Sequence, residues 1–376
     1  MGRFRGVELD DLELTGEHLV LRRWRAVDAD RVFEVMQDRS MRDFLALPDP
    51  YTRDVARLWV TELGHEGRGD GTGLGCAVVE RASGRLIGSA TLRLGGDPEI
   101  GYWVAPDARG CGYAGQATTL LADWAFSVGV HRVRVACDVR NLASIRTALA
   151  AGFRFEGVSR GGVASAVVEG VPPLIADLAR FGRLADDPPG RLPYAFPPLG
   201  PDGLTDGVVL VRTTSPDDAP GMMQTDDALT LQWSFTGEPH TADEARRAAA
   251  QAGLDWLVGG VAAFAITDVA TGRYAGALRV RKRGPPQVGG IGYAVHPGFR
   301  GRGFTTRALR LVVPWAFEVA DFARLELGAK VGNEASLRAA ANAGFEPDGI
   351  RKGRLRNPDG SFADEQRYAL LNPKYA

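Results

Sequence analysis

Between residues 99 and 128 the hydrophobic pattern changes period, and the change predicts a strand, a turn and a helix in succession. Glu99 to Val104 alternates and carries Tyr102, Trp103 and Val104, as a strand should. From Tyr113 to Val128, apolar residues fall at Ala117, Leu120, Leu121, Trp124, Ala125 and Val128, which is helical spacing. Arg109-Gly110-Cys111-Gly112 lies between them. Upstream, Leu19 to Arg22 reads as an edge strand, Asp28 caps a helix to about Gln37, and Thr52 opens a second to Leu63. Gly73 to Glu80 and Arg85 to Leu94 read as strands joined at Ser83-Gly84, a hairpin turn whose glycine supplies positive φ. Downstream come a strand at Arg132 to Cys137, a short helix opened by Asn141, and closing strands.

The pattern then repeats. Val295-His296-Pro297-Gly298-Phe299-Arg300-Gly301-Arg302-Gly303-Phe304 restates the glycine turn, Trp315-Ala-Phe restates Trp124-Ala-Phe, and Asn333-x-x-Ser336 with Gly344-Phe345 restates Asn141-x-x-Ser144 with Gly152-Phe153. Arg109 and Arg300 are 191 residues apart, Asn141 and Asn333 192, and Gly84 and Gly272 188. The near-constant offset marks a duplicated domain. The second copy keeps the element order: a strand at Val208 to Val211, a helix capped at Ser215 with Pro216 in its first turn, and a helix from the capping box Thr241-x-x-Glu244. Strands follow around Ala262 to Val269, Arg273 to Arg281 and Leu325 to Ala329. The sequence therefore predicts domains at 1–183 and 205–376. The proline-rich linker at 184–204 reads as stiff and extended, with Tyr194 and Phe196 packing along a domain surface.

Length fits this division, since 376 residues suit two cores of about 180 better than one. A net charge of −1 gives no global pull toward nucleic acid or membrane. Cys76, Cys111 and Cys137 are too few and scattered for a disulfide framework or a metal cluster, so no metal is expected. With no secretory signal pattern and no apolar run of about 18 residues, a cytoplasmic location is expected.

The glycine turns carry the chemistry. Glycines let successive N–H groups face one concavity, and a helix start adds unpaired donors and the positive dipole end, so each turn reads as an anion site suited to phosphate. Gly110-Cys-Gly112-Tyr-Ala-Gly115 matches a dinucleotide fingerprint with Asp138 downstream, but the second copy has Thr306 for the third glycine and Lys330 for Asp138. Antiparallel hairpins also precede the loop, where a doubly wound domain would begin with it. A Walker loop would need a G-K-[ST] that is absent. Tight strand-to-helix turning alone would explain one loop, but not two copies with Arg in the same place.

These residues resemble two GNAT-superfamily N-acetyltransferase domains in tandem, nearest in pattern to the Rim-type branch that acetylates ribosomal-protein N-termini. The family's loop, [QR]-x-x-G-x-[GA], is matched by Arg109-x-x-Gly112-x-Ala114 and less perfectly by Arg300-x-x-Gly303-x-Thr305. The resemblance implies an α/β (α+β) fold in each half: a mixed, mostly antiparallel sheet of six to seven strands, about four helices and a splayed central strand pair. It also implies acetyl-CoA or another acyl-CoA as cofactor. The diphosphate would rest on Arg109, Gly110, Cys111, Gly112, Tyr113 and Ala114, and on Arg300, Gly301, Arg302, Gly303, Phe304 and Thr305. The pantetheine arm would lie along Trp103 and Val104, or Ala294 and Val295, and touch Asn141 or Asn333.

The implied reaction is direct attack by an amine on the thioester. An α-amine near pKa 8 is about one-tenth free base at neutral pH, whereas a lysine-like amine near 10.4 is free in roughly one molecule in 2500, so a base matters more for the second class. The resemblance makes Glu99 that base, and the matching position in the second copy is Gly290. The tyrosine that many relatives use as acid is replaced by Ala148 and Ala340, leaving Ser144, Ser336 or water, with helix capping as the serines' other role. Pro314 should kink the second loop helix, while Arg302 gives that loop a cation where the first has Cys111. His296 and Glu238 are the polar groups that could compensate there, although a loop histidine beside proline is usually just solvated. The implied partners are an acyl-CoA and an amine acceptor, either a peptide N-terminus or a small molecule, without nucleic acid or membrane. The expected assembly is a pseudo-dimeric monomer or a homodimer. An acyl-CoA binder without catalysis and a small-molecule or antibiotic acylating enzyme remain alternatives. Acceptor choice is expected from 38–71 and 226–260.

Overall fold

A computed structural model describes residues 9, 11–65, 67–69, 71–94, 96–164, 171–235, 238–357 and 359–375. Residues 66, 70, 236 and 237 of the two expected acceptor segments lie outside these. The chain divides into compact units at Met1–Pro193 and Tyr194–Ala376. The first unit runs β1 (Leu14–Thr15), β2 (Leu19–Arg22), α1 (Ala29–Met36), α2 (Arg53–Thr61), β3 (Gly73–Glu80), β4 (Leu86–Arg93), β5 (Glu99–Val104) and α3 (Tyr113–Ser127). It closes with β6 (Arg132–Asp138), α4 (Leu142–Ala150), β7 (Arg154–Ala164) and β8 (Leu174–Leu184). The second runs β9 (Leu204–Thr205), β10 (Val209–Thr213), α5 (Ala219–Thr225), α6 (Ala228–Trp233), α7 (Ala242–Leu254), β11 (Val261–Asp268), β12 (Tyr274–Arg283) and β13 (Val288–Val295). It closes with α8 (Phe304–Pro314), β14 (Arg324–Lys330), α9 (Glu334–Asn342), β15 (Glu346–Arg356) and β16 (Phe362–Leu371).

Each unit holds one eight-stranded sheet, in the orders β1-β2-β3-β4-β5-β6-β8-β7 and β9-β10-β11-β12-β13-β14-β16-β15. The eighth strand is a two-residue piece, β1 or β9, too short to have a periodicity of its own. Because β1 pairs with β2, Leu19 to Arg22 is not an edge. All described pairings are antiparallel except β5 with β6 and β13 with β14. The hairpin glycines Gly84 and Gly272 have φ of +69° and +68°, as their turns require. Thr52 caps α2, and the Thr241–Glu244 box caps α7.

Helix entry uses one device twice. The Asp28 carboxylate does not cap α1; it takes two 2.8 Å hydrogen bonds from the buried Arg22 guanidinium and one from the Arg25 N–H. Asp218 does the same with Arg212 and the Ser215 N–H. One further expectation needs correcting. Phe196 is fully buried in the second core beside Trp256, Trp315 and Phe322, because the N–H groups of Ala195 and Phe196 bond the carbonyls of Leu257 and Trp256. Pro314 ends α8, and the chain continues as a π-turn at Trp315–Val319, in which the Ala320 N–H reaches Trp315 O. A proline with no N–H to give is accommodated by this wider turn.

Asp28→Ala leaves a buried guanidinium without its acid and should destabilise the first unit by about 3–5 kcal/mol. Replacing both partners, Arg22→Met with Asp28→Leu, should recover most of that loss. Urea unfolding of the three proteins checks it.

Candidate functional site

The central parallel pair of each sheet parts almost as soon as it forms. β5 and β6 are in register only at Glu99 and Arg134, and β13 and β14 only from Val288 with Arg324 to Ile291 with Leu327. Beyond those points the backbone edges of β5 and β13 have no strand partner on that side. Across the opening, the Tyr102 hydroxyl donates to the Ser144 carbonyl at 3.1 Å, and Tyr293 reaches the Ser336 carbonyl and hydroxyl at 3.0 and 2.9 Å. Burial pushes both phenols up from their ordinary pKa. The repeated Ile-Gly-Tyr was the available signal for these tyrosines, which sequence reasoning left without a role.

At the opening stands the glycine turn. Gly110 and Gly112 have φ of +80° and +77°, Gly301 and Gly303 +71° and +75°, and no atom lies within 4 Å of where a Cβ would sit on any of them. Gly112 and Gly303 start α3 and α8 with no side-chain cap. The Arg109 N–H bonds Pro106 O and the Gln116 N–H bonds Gly112 O, yet the six N–H groups of 110–115 have no acceptor among the described residues. The six of 301–306 repeat this between Arg300 and Arg307. Two concave rows of donors at helix starts are anion cradles.

The arginines that mark the loops turn away from them. Arg109 bonds Val104 O at 3.4 Å, Ser40 Oγ at 3.0 Å and Met41 Sδ at 3.1 Å. Arg300 makes a two-pronged ion pair with Asp227 at 2.7 and 2.6 Å and bonds Thr230 Oγ1 at 2.7 Å. Each therefore fastens its loop to the segment after the first helix of its unit. Asp227 also caps α6 through the Thr230 N–H, and the Arg300 hydrogen bonds hold its carboxyl far below the usual carboxylate range. The other end of α6 is held by Lys330, 2% exposed, whose Nζ donates to Gln232 O at 3.0 Å. Burial pulls the Lys330 pKa down. Arg302 lies 5.1 Å from the rings of both Phe299 and Phe304.

Glu99 sits where β5 and β6 still touch, with Oε2 2.9 Å from Arg134 Nε and Oε1 without a partner among the described residues. Glu99, Gly101 and Trp103 share one face of β5 by alternation, opposite Tyr102. Trp103 on that face packs 6.4 Å from Trp24, which meets Trp59 edge-on at 6.1 Å. In the second unit Gly290 stands at the Glu99 position, and an added Cβ there would collide with the Arg283 guanidinium. Its register partner Glu326 is held by Arg324 and Arg367. Ser144 is not the cap of α4. The cap is Asn141, whose Oδ1 accepts the Ser144 N–H at 3.0 Å, and Asn333 treats Ser336 likewise at 3.2 Å. The side-chain amide nitrogens of both asparagines have no partner among the described residues. His296 caps the turn before its loop, its Nδ1 accepting the Gly298 N–H at 3.1 Å, and Glu238 makes no hydrogen bond or ion pair with any described residue. Among the described residues no group of three or more His, Cys, Asp or Glu could hold a metal, and no helix is long and apolar enough to cross a membrane.

A mixed sheet whose central parallel strands part beside a row of free amides at a helix start defines an acetyltransferase fold of the GNAT type, here present twice. The chain belongs to that family: the acetyltransferase (GNAT) domain model matches residues 18–154 and again 209–346. Over 91 residues it is 37% identical to the probable N-acetyltransferase YjcK of Bacillus subtilis, a match spanning 24% of this chain and half the length of that protein. It is 25% identical over 154 residues to the uncharacterized N-acetyltransferase p20 of Bacillus licheniformis, covering 38% of this chain and 83% of that one. Among solved structures, RimJ of Mycobacterium smegmatis in complex with a CoA-disulfide aligns at 23% identity and a TM-score of 0.43, covering 49% of this chain and 91% of that one.

Arg300→Gln should release the start of α6. Because the Asp227 carboxyl titrates below its ordinary value, the wild-type ion pair persists as pH falls through the usual carboxylate range near 3.9 and is lost only below it. Amide exchange of residues 228–233 should therefore stay slow to pH 4 in the wild type and be faster in the variant at every pH.

Proposed function

We propose that the protein is an acyl-CoA-dependent N-acyltransferase, using acetyl-CoA, with its chemistry in the first unit. The observation that carries this reading is the row of six acceptor-free N–H groups, 110–115, beside the parted strands β5 and β6. The fit to a diphosphate is chemical: donors in sequence, fixed by positive-φ glycines at a helix start, with no side chain filling the concavity. The same fit holds for 301–306, where Arg302 adds a cation. Family membership and the likeness to YjcK support acyl transfer.

When bound, the thioester supplies an activated acyl group. This chain's residues then do the following work. The amides of 110–115 hold the diphosphate, and Arg109 keeps their loop against residues 40 and 41. The unpaired edge of β5 beyond Glu99 and the Asn141 side-chain amide hold the amide-bearing arm. Backbone N–H groups of β5 polarise the acyl carbonyl. Glu99 takes the amine proton through Oε1, directly or by one water, while Arg134 keeps Oε2 in place. The Ser144 hydroxyl or water returns a proton to the leaving thiolate. The second unit keeps a cradle but has Gly290 in place of the base.

Gly112→Val forces a branched side chain to φ near +77°, a strain of about 1–3 kcal/mol, and should weaken acetyl-CoA binding about tenfold or more by titration calorimetry. Glu99→Gln should lower kcat by about 10²–10⁴ for lysine-like amines with the KM for acetyl-CoA unchanged, and by less for peptide α-amines. Thiol release from a panel of amines reads both. Tight acetyl-CoA binding with no thiol release from any amine would favour the binding-only reading.

A further inference from the structure

The second unit differs from the first on the sheet face that carries Glu99 in the first, at the Arg279 position, while Arg281 matches Arg93. On β12, Arg279, Arg281 and Arg283 follow one another two residues apart and share a face, opposite the core residues Leu278 and Val280. The position matching Arg279 in the first unit is Thr91. None of the three arginines makes a hydrogen bond or ion pair with any described residue. Two acids lie near them, and neither pairs with them. Asp255 lies by Arg279 and Arg281 without coming within ion-pair distance, burial pushing its carboxyl up, and Glu326 is taken by Arg324 and Arg367. Arg279 is partly buried, and burial followed by the nearby Arg281 charge pulls its pKa down. A guanidinium left in that state is costly unless an anion meets it.

There is room for one. Across the ladder, Arg279 pairs in register with Gly292 on β13 and Ala263 on β11, and Ala277 pairs with Ala294 and Ala265. Nothing lies within 4 Å of where a Gly292 Cβ would sit. In the first unit the Ala294 position is Trp103, which packs against Trp24; in the second the large side chain is gone and a cation faces the space.

We infer that the second unit carries an oxyanion-binding pocket, formed by Arg279 and Arg281 over Gly292, for a small molecule bearing a carboxylate or a phosphate. Guanidinium forks meet either group with two hydrogen bonds. That this ligand is also an amine acceptor rests on the proposed acyl transfer; the pocket itself does not.

The test is titration calorimetry of the full chain, without any acyl donor, using succinate, succinamide and inorganic phosphate. Succinate or phosphate should bind where succinamide does not, and whichever anion loses more affinity in Arg279→Gln names the group. Arg279→Gln should remove one site or weaken it at least tenfold, and Arg279→Lys should restore it only in part. Gly292→Leu, which enters empty space, should remove the same site with the circular dichroism spectrum unchanged. Phosphate that still binds both variants marks the amide cradles. Anion binding unaltered in both Arg279→Gln and Gly292→Leu, or succinamide binding as well as succinate, would overturn the pocket whether or not the protein transfers acyl groups.

Discussion

Twelve backbone N–H groups, six in each unit, have no acceptor among the described residues, and the surrounding structure is arranged to keep them so. Leaving donors unmet is tolerable only at a concave, solvent-facing place, and here it is enforced from two sides. Glycines at φ near +75° hold successive amides toward one centre, and the uncapped helix behind each loop prevents the last of them from folding back on a side chain. The parted strands follow from the same need. If β5 and β6 stayed paired to their ends, their backbone groups would satisfy one another and leave no edge for an amide-bearing arm beside the cradle.

The two units keep this shared part and diverge on the opposite face of the strand. In the first, Glu99, Gly101 and Trp103 share the face and Trp103 packs against Trp24, giving a carboxylate at one end and an indole wall at the other. In the second, the Arg283 side chain lies over Gly290, and Gly292 leaves open space beside the arginines. Duplication has preserved the proposed diphosphate cradle while altering the face proposed to meet an acceptor, as separate loads on backbone and side chains allow. A cradle of main-chain amides tolerates Cys111 becoming Arg302, because neither side chain makes the donors.

Much of this was legible in the sequence, for identifiable reasons. The cradles were readable because positive φ demands glycine, and glycine leaves a mark at fixed spacing from Arg109 and Arg300. The doubled fold was readable because turns and caps recur at a near-constant offset. The two-residue strands β1 and β9 were not readable, since two residues have no period. The helix start at Asn141 was readable, whereas the role of Ser144 stayed open between capping and proton transfer, because both residue types cap well and only geometry separates them. The side chains of Arg109 and Arg300 had no partner legible in the sequence: a motif records that an arginine belongs in the loop, not that its guanidinium points to Ser40 or Asp227. Phe196 was read as surface packing because a proline-rich stretch gives no sign of which ring a core needs.

The bond from Arg300 to Asp227 sets limits on how this chain can diversify. Loop and α6 lie 73 residues apart in sequence but share one guanidinium, so neither can drift alone without stranding a charge. In the first unit the corresponding tie runs from Arg109 to a serine hydroxyl and a methionine sulfur, partners that strand no carboxylate when replaced. Natural variation between residues 38 and 41 should therefore be broader than at 227–230, and any laboratory search for altered second units has to randomise Arg300 together with Asp227.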